Sequence, residues 1–86
     1  MRRTRVGIVV FEGVKLLDVA GPSEVLTEAN EFGADYELVL LSADGRPVRS
    51  STGMGIEVDA AFTDPGLDLH TLVVAGGDRL PTRPIE

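Results

Sequence analysis

The run Val6-Gly-Ile-Val-Val-Phe11 contains no polar side chain at any position, and this constrains the chain more than any other feature. A strand with one face in water alternates apolar and polar residues, whereas a strand inside a parallel sheet is covered on both faces and has no reason to alternate. The segment is therefore expected to be a central strand. Thr71-Leu-Val-Val-Ala75 reads as another strand of the buried type, and Tyr36-Glu-Leu-Val-Leu-Leu-Ser42 as a strand between them in sequence.

The segments between these strands carry different signals. Glu12-Gly-Val-Lys15 makes a turn, and Leu16 to Ala20 lead into Gly21-Pro22-Ser23-Glu24, where proline suits a first helical turn. Val25, Leu26, Ala29 and Phe32 recur at helical spacing, and Gly33 has the position of a helix-ending glycine. One helical region kinked near Gly21-Pro22 is expected. Ala43-Asp-Gly-Arg-Pro47 and Thr52-Gly-Met-Gly55 are turn chemistry, so residues 47–59 should form a short, polar ribbon at an edge. Asp64 and Pro65 have the order of an N-cap and a first helical residue, predicting a short helix before Leu67 to Leu69. After Gly76-Gly77, residues 78–86 hold two prolines and no periodicity. The order strand, helix, strand, ribbon, short helix, strand predicts an α/β sandwich around a mostly parallel sheet.

Composition narrows the function classes. With 86 residues, 43% of them hydrophobic and 26% charged, the chain has material for one small globular core. A net charge of -6 argues against sequence-independent nucleic-acid binding, which needs clustered cations to neutralise phosphates. Arg2, Arg3 and Arg5 are the one basic cluster and read as a solvated start. The apolar run is too short for a secretory segment and is stopped by Glu12 and Gly13, and nothing approaches the roughly 20 apolar residues of a membrane span, so a cytoplasmic location is expected. These residues include no cysteine, which removes disulfides, thiolate metal sites and a cysteine nucleophile from within them. With His70 as the single histidine, expected at the surface, neither a metal site nor a Ser-His-Asp triad is expected, and no cofactor is implied.

A strand followed by a glycine and a helix also opens dinucleotide-binding folds. Here, however, the loop lacks G-x-G-x-x-G and brings Glu12 where a phosphate would sit. Asp44 precedes a glycine and reads as a turn residue rather than a ribose reader. Asp18 is more informative, because Leu16, Leu17, Val19 and Ala20 surround it in sequence. It either faces water and supports the start of the helical segment, or sits among apolar groups and offers a hydrogen bond to a neighbouring anion. Gly76 and Gly77 end a strand where open α/β sheets bind ligands, and they make either a tight turn or a close backbone approach to a ligand.

The run Val10-Phe-Glu-Gly-Val-Lys-Leu-Leu-Asp-Val-Ala-Gly-Pro-Ser-Glu-Val-Leu26 resembles the opening of the ThiJ/PfpI (class I glutamine amidotransferase-like) superfamily. Val48-Arg-Ser-Ser-Thr-Gly53 and Thr71-Leu-Val-Val-Ala-Gly-Gly77 are similar to its later segments, in the same order, so the resemblance covers essentially the whole chain. It implies a flavodoxin-like three-layer sandwich of which residues 1–86 are the N-terminal, incomplete part. It also implies that Asp18 is the acid beside a cysteine on a strand-to-helix elbow, and that Gly77 contributes a backbone N–H to an anion site. The position of that cysteine falls beyond Glu86.

Two groups share this opening. Phe32-Gly-Ala-Asp-Tyr36 and Gly76-Gly-Asp-Arg-Leu-Pro81 look more like AraC-family transcriptional regulators with an amidase-like N-terminal domain than like the isonitrile hydratases. The resemblance thus implies a ligand-sensing and dimerisation domain, with a small-molecule ligand and a homo-oligomer. DNA contact would belong to a C-terminal helix-turn-helix part outside these residues, and no membrane partner is implied. The alternative is the N-terminal fragment of a cysteine-dependent hydratase or hydrolase.

Overall fold

The computed structural model describes residues 3–76. Its elements are β1 (Thr4–Val9), α1 (Leu16–Asn30), β2 (Tyr36–Ser42), β3 (Val48–Arg49), β4 (Gly55–Ile56), β5 (Ala60–Ala61) and β6 (Thr71–Val74). The main sheet runs in the order β5-β2-β1-β6, and every pairing in it is parallel. The apolar run does form a central strand: β1 pairs Ile8 with Leu40 on one side and with Val73 on the other.

Side chains along β1 alternate between the two faces of the sheet. Ile8 and Val10 join Val14, Val19 of α1 and the ribbon residues Val48 and Ile56 in the main apolar core. Gly7 faces the other way. A Cβ there would stand 2.7 Å from the Leu69 side chain and 3.0 Å from that of Leu41, so the missing side chain admits the segment returning from β5 to β6 against the sheet.

Five expectations need correction. First, the single helical region is there as expected, but it begins at Leu16, so Pro22 lies inside the helix and not in its first turn. Pro22 has no N–H to give the carbonyl of Asp18, and Ser23 Oγ donates to the carbonyl of Val19 at 2.6 Å. Second, the residues after Asp64-Pro65 form no helix. Gly66 N–H donates to Asp64 Oδ1 at 2.8 Å and Leu67 N–H to the Asp64 carbonyl at 3.2 Å, so the carboxylate serves a local turn instead of capping a helix.

Third, β5 gave no sequence signal: two alanines pair with Leu41 and Ser42, while Asp59 Oδ2 accepts from the backbone N–H of Leu40. Fourth, β6 reads as a strand covered on both faces, yet it is the edge of the described sheet, with Leu72 45% and Val74 61% exposed. Fifth, a short ribbon does form, as a separate antiparallel pair, but it is not a polar edge: Val48 and Ile56 are buried in the main core, and β5 takes the edge of the main sheet.

Gly33 ends the helix in the left-handed region, at φ 107°. Ala34 N–H reaches back to the Ala29 carbonyl at 3.3 Å, the long-range closure of a glycine-terminated helix. Asn30 then acts as an extra strand rung for the start of β2: its Oδ1 accepts from Tyr36 N–H at 2.7 Å and its Nδ2 donates to the Tyr36 carbonyl at 3.0 Å.

Candidate functional site

β1 is followed in sequence by β2 on one side, and the chain later returns to pair β6 on the other side of β1. Open α/β sheets bind ligands at the carboxyl ends of strands where the chain reverses direction in this way. The loop after β1 and the end of β6 meet at that place. Ala75 N–H donates to the Val9 carbonyl at 3.2 Å, and Lys15 N–H donates to the Gly76 carbonyl at 3.0 Å, tying the start of α1 to the residue after β6.

Asp18 lies in the first turn of α1, its backbone N–H donating to the Lys15 carbonyl at 3.0 Å. A carboxylate there is favoured by the positive end of the helix dipole, and since no side chain caps the helix at Lys15, this is the acid that serves its start. The sequence left open whether Asp18 faces water or an apolar pocket; its side chain is exposed. It nonetheless presses on Gly76, where a Cβ would lie 2.6 Å from Asp18 Oδ2. Gly76 has no positive φ, so the residue is needed there for space and not for backbone conformation. Two residues singled out separately in the sequence are therefore neighbours across the switch point. Gly77 lies outside the described residues.

The ribbon braces this loop. Gly13 N–H donates to the Arg49 carbonyl and Ser51 N–H to the Val14 carbonyl, both at 2.8 Å. Glu12 Oε2 accepts from the backbone N–H of Arg49 at 3.2 Å. Ser50, 5% exposed, holds the ribbon's own turn, its Oγ accepting from the backbone N–H groups of Thr52 and Met54. Sequence reading identified the ribbon as turn chemistry but gave no sign that it grips the loop leading into α1, because that contact joins segments about 35 residues apart and has no local signature.

Asp44 is a turn residue, as its sequence context indicated: its Oδ1 accepts from Arg46 N–H at 3.0 Å, and Gly45 has a φ of 81°. His70 is exposed, its Nδ1 2.7 Å from Thr71 Oγ1, at the opposite end of the sheet from Asp18. Among the described residues no group of His, Cys, Asp and Glu is arranged to hold a metal ion, and no helix is long and apolar enough to cross a membrane.

Comparison with known proteins shows the family of the chain and its fold. Residues 4–86 match the sequence profile of the DJ-1/PfpI family. A protein of Streptomyces lividans described as an uncharacterized protein in the cpoL 5' region is 55% identical over 81 residues, covering 94% of this chain and 57% of that protein. Among solved structures, an AraC family transcriptional regulator from Pseudomonas putida superposes with a TM-score of 0.77 at 31% identity, over 94% of this chain and 51% of that one. A DJ-1 superfamily protein from Agrobacterium tumefaciens gives a TM-score of 0.69 at 25% identity, over 91% and 40%. The chain thus spans between two fifths and three fifths of the length of these relatives.

Proposed function

Because the chain belongs to the DJ-1/PfpI family, we propose that it is the N-terminal part of the ligand-sensing and dimerisation domain of an AraC-type transcriptional regulator. The observation that carries this reading is the likeness to the Pseudomonas putida regulator, which reaches 31% identity and runs through nearly the whole chain but only half of that protein. Two features of the chain support it. The net charge of -6 suits a domain that leaves DNA contact to another part of the protein. The exposed Leu72 and Val74 on the edge strand β6 supply an apolar surface for association.

In this reading a small molecule is sensed at the carboxyl ends of β1 and β6, where Asp18 and Gly76 meet. The chain's own residues there offer a carboxylate, fixed by the first turn of α1, and a side-chain-free backbone beside it.

That same contact favours a second reading, the N-terminal fragment of a cysteine-dependent isonitrile hydratase or related hydrolase. Asp18 would then serve as the acid partner of a nucleophile located past Glu86, with the backbone at Gly76-Gly77 as part of the anion site. The reading frame beyond Glu86 separates the two: a helix-turn-helix pair supports the regulator, and an elbow cysteine followed by a stop supports the enzyme. A frame with neither refutes both. Isonitrile hydration by the protein of the complete gene, abolished in its Asp18→Asn variant, would likewise overturn the regulator reading.

A further inference from the structure

We propose that the cleft at the carboxyl ends of β1 and β2 binds a small organic cation with an aromatic or branched apolar body, at a place separate from Asp18 and Gly76. This does not depend on whether the chain is part of a regulator or of an enzyme.

The cleft has a volume of about 520 Å³, within the range of small-molecule sites. Its floor is the end of the two strands, and Pro47, Phe11 and Phe62 make its apolar walls. Phe62 is 49% exposed, although its backbone is fixed by an N–H donated to the Ser42 carbonyl at 2.6 Å. A phenyl ring held half in water at the mouth of an apolar cleft gains by covering its face with a ligand, and a cation gains further from the ring's negative face.

Charge selects the sign of the ligand. Two carboxylates, Glu12 and Asp44, face one guanidinium, Arg46, so the charged groups lining the cleft sum to -1. Arg46 stands 4.0 Å from Asp44 Oδ2 and its side chain is 84% exposed, so it partly offsets Asp44 and reaches outward. Glu12 is held differently. The Arg49 N–H on its Oε2 and the neighbouring Gly13 N–H to Arg49 carbonyl bond keep its carboxylate over the cleft wall formed by the ribbon. The guanidinium of Arg49 is turned to the Gly53 carbonyl at 2.8 Å. The overall charge of -6 adds a field of the same sign. An anion or a phosphate would meet Glu12, whereas an ammonium would pair with it while its apolar body lies between Phe11 and Phe62.

The test is titration of the isotope-labelled chain with 2-phenylethylammonium, 2-phenylethanol and 3-phenylpropanoate, followed by amide chemical shifts. The expected result is saturable shifts at Phe11, Ala43, Val48 and Phe62, with the cation bound about five-fold more tightly than the alcohol and the anion weakest of all. Glu12→Gln keeps an acceptor for the Arg49 N–H but removes the charge. It should bring the cation down to the affinity of the alcohol while leaving the alcohol unchanged. Should that variant fail to fold, Phe62→Ser provides the second readout, with both the cation and the alcohol expected to weaken. Equal affinity for all three probes, or shifts confined to residues near Asp18, or no saturation, would overturn the proposal.

Discussion

The two sides of β1 show how little a strand's own sequence decides about its burial. On the side facing α1, Ile8, Val10 and Val19 are between 0% and 6% exposed. At the edge, β6 has a comparably apolar sequence, yet Leu72 and Val74 stand 45% and 61% open to water. Val74 is in register with Val9 and, through β1, with Leu41, which is fully buried. The difference lies in the cover. α1 and the ribbon close one face, where Val73 of β6 also packs, and Leu69 of the returning segment lies over Gly7 beside Leu41, but no described element covers the face of β6 that carries Leu72 and Val74. An unalternated apolar strand declares that it tolerates cover on both faces; what provides the cover is written elsewhere in the chain or in a partner.

The largest expected effect is on the closed side. Ile8→Ala removes a fully buried side chain from the middle of the core and should cost about 2 to 4 kcal/mol, read as a lowered midpoint in chemical denaturation. If Ile8→Ala and Leu72→Ala cost the same, the contrast between the two regions is wrong. Next comes the join between α1 and β2: Asn30→Ala loses both bonds to Tyr36 and should cost about 1 to 2 kcal/mol.

The join between α1 and β6 should be softer. Gly76→Ala places a Cβ against Asp18 Oδ2, and because that carboxylate is exposed and can turn aside, about 1 kcal/mol is expected. In a double-mutant cycle with Asp18→Ala the penalty should largely disappear. A penalty that persists without the carboxylate would mean that the backbone, and not Asp18, sets the need for glycine at Gly76.

Much of this arrangement was legible in the sequence, for reasons that differ by element. β1 and β2 announced themselves by apolar runs, and the helix end by Gly33, because burial and left-handed backbone both leave local marks. Asp18 stood out as an acid among apolar neighbours, and Gly76 as a glycine ending a strand. Their meeting was not legible from spacing, since it depends on β6 returning to the far side of β1. β5 was missed because two alanines carry no strand preference and pair only through their backbone to β2. The short helix was overread because Asp followed by Pro serves a turn as readily as a helix start, and the Asp64 carboxylate took the nearer N–H of Gly66. Glu12 was legible as an obstacle to a phosphate, but its place on a cleft wall came only with the ribbon folded against the loop.

The smallest effect on folding belongs to the open edge, and it gives the most direct test of the dimerisation role. Val74→Lys should change monomer stability by no more than about 0.5 kcal/mol, because the side chain is already in water. It should abolish any association that uses β6, since a charge on an edge strand opposes pairing. Sedimentation equilibrium of the chain over a range of concentrations, alongside Val74→Lys, reads this directly. The account predicts concentration-dependent self-association for the unmodified chain and a monomer for the variant; a folded monomer at every concentration, or a variant that associates equally well, would contradict it.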